Sequence, residues 1–318
     1  MTPETACSKL VAEFRARPML RSGSLITTVF GDAVAPRGGT VWLGSLIKVM
    51  ADFGVSERLV RTSAFRLVQD GWLKSRQIGR RSYYSLTDEG RQRFDQATHR
   101  IYAARTSQWN GEWTLLLTAT LDAESREALR RECRWLGFGN LATDVLAHPS
   151  PQPGDLKLTL QRLGVAESVI VLSGATLGGD AAMRQLTRDC WRLDDLDERY
   201  QEFVESFRPV HRALAGKGQL SDKSSFIVRT LLIQEYRKVL LRDPWLPAEL
   251  LPSGWHGGAA YQLCRNLYRK LYAQADAYVE TAMETADGPL PPPSRDYGRR
   301  FGGLPARSRP APEVVLNE

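Results

Sequence analysis

The sequence predicts an α+β chain of several domains: an N-terminal winged helix-turn-helix, a ferredoxin-like βαβ middle domain and an all-helical C-terminal domain. Three observations carry this prediction. Residues 55–86 read as a cationic helix followed by a basic hairpin, residues 109–180 alternate apolar runs with amphipathic segments, and the stretch beyond Gly178-Gly179 has helical periodicity. At 318 residues the chain exceeds one ordinary domain. The expected divisions are 21–87 for the winged helix-turn-helix, 88–108 for a linker helix, 109–180 for the middle domain, 181–285 for a helical domain, and 286–318 for a disordered tail.

Residues 1–23 are polar and irregular, an arm with a short helix near 8–15. Leu25, Ile26, Val29 and Phe30 mark a first packed helix, Thr40 to Trp42 a short strand, and Leu43, Leu46, Ile47 and Met50 a second helix closed by Gly54. The third helix starts at Ser56, whose hydroxyl suits an N-cap, with Glu57 complementing the positive end of the helix dipole. Val60, Ala64, Leu67 and Val68 form one apolar stripe, and Arg58, Arg61, Thr62, Phe65 and Arg66 face away from it. Gly71 ends the helix. Trp72-Leu73 and Ser82 to Leu86 have strand composition and flank a loop, Gln77-Ile78-Gly79-Arg80-Arg81.

Such a helix can enter a major groove while the hairpin reaches adjacent phosphates. From Arg58 to Arg81 there are seven Lys or Arg and one acidic residue, Asp70. Arg58, Arg61 and Thr62 are placed toward base edges of a DNA duplex, Arg66, Lys74, Arg76, Arg80 and Arg81 toward phosphate, and Ser56 at the helix start is counted with them as DNA-binding.

Thr87, followed by Asp88 and Glu89, opens the linker helix, with Phe94, Ile101 and Tyr102 as its seam. The middle domain then reads βαβαβ. It has a buried strand at 113–120, a helix at 123–135, a strand region at 137–147, a helix at 157–163 and a third buried strand at 168–173, with the helices on one face of an antiparallel sheet. Four helices follow at 182–193, 195–210, 221–241 and 258–282. In the third, Phe226, Thr230, Ile233, Tyr236 and Leu240 form a core stripe that leaves Arg229, Gln234, Arg237, Lys238 and Arg242 outside it. After Asp287 the Pro, Gly and Arg run is too poor in apolar periodicity to build a core.

The formal charge of +7 is unevenly placed: residues 1–110 hold 17 Lys and Arg against 9 Asp and Glu, and the rest is near neutral. A basic module on a neutral body is what phosphate-backbone binding requires. There is no apolar run of the ~20 residues that span a bilayer and no signal-peptide core, so the expectation is a cytoplasmic protein without a membrane partner. Cys7, Cys133, Cys190 and Cys264 are far apart with no His at ligand spacing, which signals neither disulfides nor a metal site. No nucleophile motif, phosphate loop or paired carboxylates suggest catalysis, and no cofactor is expected.

Several segments together resemble the PaaX-type repressors of phenylacetate catabolism: RSGSLITTVFGD at 21–32, VSERLVRTSAFRLVQDGWL at 55–73, GRRSYYSLTDEG at 79–90, EYRKVLLRDPWLPAELLP at 235–252 and CRNLYRKLY at 264–272. The resemblance implies a homodimeric repressor with an N-terminal winged helix, a middle domain like that of the CRISPR adaptation endoribonucleases, and a helical C-terminal domain. It implies release from double-stranded operator DNA by an aryl-acyl-CoA effector such as phenylacetyl-CoA. Gln234 and His256 stand where that family usually has His and Pro, so a different acyl-CoA is the alternative effector. Cations for its phosphates and an apolar slot for its acyl group point to Arg229, Tyr236, Arg237, Lys238, Arg242, Trp245 and Trp255. The enzyme alternative is a metal-dependent nuclease, which needs an Asp at the end of the first middle-domain strand. Here that strand ends Leu117-Thr118-Ala119-Thr120, and Asp122 is explained by helix capping. An architectural DNA binder without an effector is a third reading.

Overall fold

The computed structural model describes residues 1–16, 22–103, 109–149, 151, 153–176, 178–216 and 218–306. Arg21, the linker end at 104–108 and the tail from 307 lie outside the described residues. The chain forms two compact units: one takes Met1–Ala104, Ser206–Glu235 and Gln262–Glu318, the other Arg105–Glu205 and Tyr236–Tyr261. The helical region expected as one domain at 181–285 is therefore divided between the two.

α1 (Pro3–Arg15) is capped by Thr2, whose hydroxyl accepts from the Thr5 amide at 3.2 Å, and it buries Ala6, Cys7, Leu10 and Phe14. The short helix expected near 8–15 of an irregular arm is thus a longer, packed helix. Glu4 fixes it by accepting from the Ser221 amide at 2.8 Å and the Ser224 hydroxyl at 2.7 Å. α2 (Ser22–Val29) buries Leu25, Ile26 and Val29 and passes into a π-helical turn, Phe30–Val34, that carries the buried Asp32. β1 (Thr40–Trp42) runs directly into α3 (Leu43–Ala51). Gly44 is required at that junction, because a β-carbon there would lie 2.3 Å from the Trp42 ring. Gly54, at φ 80°, adopts the left-handed conformation that turns the chain into α4 (Glu57–Gln69).

α4 packs on α2 and α3 through Val60, Ser63 and Ala64, with the Ser63 and Ser22 hydroxyls bonded at 2.6 Å. β2 (Leu73–Ile78) and β3 (Arg81–Leu86) form an antiparallel hairpin, and β1 joins β3 to give the order β1-β3-β2. The five-residue loop expected at 77–81 is a two-residue turn, Gly79-Arg80, because Ile78 pairs with Arg81. β2 was expected from Trp72-Leu73, but its length beyond Leu73 was hidden by its edge position, where charged and polar side chains replace the apolar alternation. α5 (Asp88–Tyr102) begins at Thr87, whose hydroxyl accepts from the Gly90 amide at 2.8 Å, and it buries Phe94, Ile101 and Tyr102.

The second unit is built on β4 (Glu112–Leu117), α6 (Ala123–Trp135), β5 (Gly139–Ala142), β6 (Val145–His148), α7 (Pro153–Arg162) and β7 (Ile170–Ala175). The expected βαβαβ is a βαββαβ unit: residues 137–147 fold as two strands, and the antiparallel order β5-β6-β4-β7 is the ferredoxin-like one. Leu116 and Leu146 face a core with Leu129, Cys133, Leu156 and Leu160 from α6 and α7. Trp113 and Ala147, one residue out of phase, face a second core with Leu250, Met183 and Trp191, so both sheet faces are covered. β7 was expected to be buried, yet Ile170, Val171 and Leu172 are exposed. It is an edge strand, and an apolar run does not by itself distinguish an edge from a centre. Met183 and Trp191 belong to α8 (Asp180–Trp191).

α9 (Leu193–Ala213), α10 (Asp222–Leu240) and α11 (Gly257–Ala282) each supply one stretch to each unit. From Ser225 to Gln234 α10 is buried on every side, so the core stripe read from its periodicity is too narrow. The expected disordered tail is also ordered as far as it is described. β8 (Glu284–Thr285) and β9 (Gly288–Pro289) form a small hairpin with β8 against β1, and a 3-10 segment, Arg295–Gly302, buries Tyr297, Arg300 and Phe301.

These C-terminal residues complete a buried ionic centre in the first unit. Asp32 Oδ1 accepts from the Tyr102 hydroxyl at 2.7 Å, from Tyr268 at 2.9 Å and from Arg300 Nη1 at 2.9 Å, and its other oxygen lies 2.9 Å from Arg229 Nε. Asp276 Oδ1 meets Arg229 Nη1 at 2.7 Å, Arg37 Nη2 at 2.9 Å and the Tyr297 hydroxyl at 2.9 Å. Burial pushes the Tyr102 and Tyr268 hydroxyls well above the phenol range despite Arg300, so both stay protonated as donors. Asp32 from the π-turn, Arg229 from α10, Asp276 from α11 and Arg300 from the C-terminal segment are joined in one buried cluster.

Candidate nucleic-acid interface

The packed face of α4 leaves an outward face that is exposed from end to end. Ser56 sits at the N-cap in extended conformation, φ −67° and ψ 152°, but its hydroxyl makes no capping bond, contrary to expectation; its carbonyl accepts from the Leu59 and Val60 amides instead. Arg58 and Arg66 are exposed. Arg61 donates from Nε and Nη2 to Glu57 Oε1, at 2.9 and 2.7 Å, with both side chains more than half exposed. Such i,i+4 pairs hold only about 0.3–0.5 kcal/mol, so a phosphate or base edge readily replaces Glu57. The Thr62 hydroxyl donates to the Arg58 carbonyl at 2.9 Å and keeps its acceptor capacity.

Lys74, Arg76 and Arg80 are exposed on the hairpin, the first two on one side of β2 and Arg80 in the turn. Arg81 differs. Its guanidinium stacks over the Trp42 ring, 4.4 Å from the centroid, and pairs with Glu284 at 2.9 Å, which anchors the hairpin base to β1 and β8. The structure thus places all nine residues on the exposed helix face and the hairpin, with Arg81 held there by two protein partners. It also puts Phe65, 58% exposed, on the same helix face; the sequence shows it there by periodicity, but an apolar residue type carried no DNA signal.

The seven effector candidates are divided between the two units. Arg229 lies in the first unit with its side chain fully buried between Asp32 and Asp276, so its charge is already matched. The other six lie in the second unit. Tyr236 is buried against Phe203, with ring centroids 5.4 Å apart. Arg237 is half-buried, and Lys238 and Arg242 are exposed. Trp245 takes a left-handed φ of 62° and its amide donates to Asp243 Oδ1 at 2.7 Å, while Tyr200 donates to Asp243 Oδ2 at 2.6 Å and packs edge-on against Trp255. Gln234 is buried, accepting from the Thr28 hydroxyl and donating to the Ser24 hydroxyl, and His256 binds Asp197 through its amide at 2.7 Å and Nδ1 at 2.9 Å. Asp122 caps α6 by accepting from the Ser125 amide at 2.8 Å. No group of three or more metal-ligating side chains occurs among the described residues. None of their helices is long and apolar enough to cross a membrane.

Family models for a PaaX-like protein match residues 21–90, for the PaaX protein central Cas2-like domain residues 106–186, and for the PaaX-like protein C-terminal domain residues 191–281. Over 284 residues the chain is 41% identical to the transcriptional repressor PaaX of Escherichia coli (strain K12), covering 88% of this chain and 90% of that one. The chain belongs to the PaaX family. PaaX-family proteins are transcription regulators and not enzymes. A solved structure, the uncharacterized protein Rv0674 from Mycobacterium tuberculosis, is 27% identical, with a TM-score of 0.49, and covers 74% of this chain and 89% of its own. The PaaX-like span 21–90 contains α2 through the hairpin. The ordered C-terminal segment with Tyr297 and Arg300 lies beyond all three matched spans.

Proposed function

We propose that this PaaX-family chain is a cytoplasmic repressor of an operon for phenylacetate-type aromatic catabolism, binding double-stranded operator DNA as a homodimer and leaving it when an aryl-acyl-CoA such as phenylacetyl-CoA binds. The observation that carries the DNA half is the continuous cationic face from α4 to the Gly79-Arg80 turn, backed by three packed helices and a short sheet in the winged helix-turn-helix manner. α4 lies in the major groove and the hairpin follows the backbone. A two-fold operator matches a two-fold protein, since one helix and one hairpin read a half-site.

Arg58→Ala is expected to relax sequence preference by about 1–3 kcal/mol at one base pair. Arg80→Ala should weaken all duplexes alike and lower the slope of log affinity against log salt by about 0.9 per phosphate lost. Anisotropy titrations on DNA from upstream of the protein's own gene check both. Unchanged operator preference in Arg58→Ala would remove α4 from the groove.

The effector half rests on the second unit. A groove of about 510 Å³ is lined by Arg184 and Arg188 of α8 and by Leu250, Leu251 and Pro252, a pairing of cations and apolar surface that suits an acyl-CoA better than the buried Arg229 does. The left-handed Trp245 beside Asp243 is a local strain of the kind kept at ligand sites. Phenylacetyl-CoA is expected to release the DNA, and free phenylacetate and coenzyme A are not. Release by another thioester alone names a different effector, and release by none removes this half of the proposal.

A further inference from the structure

We propose that Phe65 is a specificity-determining residue that reads a thymine methyl group in each half-site. The proposal rests on the DNA-binding reading above. At 3.6 residues per turn, Arg58, Arg61 and Gln69 fall within about 40° of Phe65 around the α4 axis. Phe65 therefore lies on the outward face, about 140° and about 160° around the axis from the buried Val60 and Ser63. It is 58% exposed, and Arg58, Arg61, Thr62 and Gln69 beside it on that face hydrogen-bond or carry positive charge.

A large apolar ring in that position gains nothing in water, and the surrounding cations specify a polyanionic partner. The one apolar feature that a duplex offers in its major groove is the C5 methyl of thymine, which Phe is suited to contact. The cations on either side hold the helix in the groove, and the ring between them distinguishes thymine from the other bases by burial rather than by hydrogen bonding.

The test uses the full-length protein and the operator duplex, with each thymine replaced in turn by deoxyuridine, which lacks only the methyl. At one thymine per half-site the wild type should lose about fourfold in affinity, the value of one buried methyl group. Phe65→Ala should bind the unmodified operator on the order of tenfold more weakly and be insensitive to that same replacement, as coupling between two touching groups requires. Phe65→Leu should recover part of both effects. If Phe65→Ala binds normally while Arg58→Ala does not, or if uridine scanning weakens both proteins equally, Phe65 does not read a methyl, and the DNA-binding reading stands. If Phe65→Ala dissociates the protein into monomers in sedimentation, the ring belongs to a contact between copies and the proposal falls. If the wild type shows no preference for operator over random duplex, both readings fall together.

Discussion

Replacing Asp32 by Ala is expected to destabilise the first unit by roughly 3–5 kcal/mol, the cost of removing one partner from a buried ion pair. The carboxylate is almost fully buried and meets Arg229, Arg300, Tyr102 and Tyr268, each within 2.9 Å. Without it, the buried Arg300 loses the carboxylate it pairs with, and the buried Arg37 and Arg229 are left to share Asp276. Asp32→Asn separates charge from shape: it keeps the side-chain volume and still leaves the arginines unmatched, so it should cost nearly as much as Ala. Guanidinium unfolding of the two variants checks this. A loss below about 1 kcal/mol, the value of an exposed pair, would show that water reaches the cluster.

Ending the chain after Asp287 is expected to have a comparable or larger effect. The deletion removes Leu290, Tyr297, Arg300 and Phe301, all buried, and opens the ionic centre. Each fully buried apolar side chain contributes about 1.5–3 kcal/mol, so the loss approaches the roughly 5–15 kcal/mol that holds a typical domain folded. The Ser294 amide, which donates to the Pro36 carbonyl at 2.8 Å, is lost as well, just beyond the π-turn that ends α2. The truncated chain should therefore melt far lower and lose operator binding together with stability. A truncated protein with the same melting temperature and DNA affinity would show that the segment is a dispensable covering.

The local elements were legible because their signals are local. Thr87 and Asp122 cap α5 and α6 as their residue types predict, and Val60 and Ala64 mark the packed face of α4 by spacing alone. From that face the outward positions of Arg58, Arg61, Thr62 and Arg66 follow by geometry, and the family follows from the same stretch together with the C-terminal motifs. Where composition and burial diverge, local reading failed. β2 and β7 are edge strands, so one is charged and the other is apolar but exposed.

What the sequence determined by itself is the placement of cations on one short helix and hairpin, since a period of 3.6 or 2 residues decides which side chains share a face. Only the tertiary structure decided that Arg229 and Arg300 are core residues, and that the described part of a segment rich in Pro, Gly and Arg packs in place. The reason is physical: a guanidinium is stable inside a protein only beside carboxylates. Asp32 stands 197 and 268 positions from the two arginines it matches, a distance across which no local pattern carries.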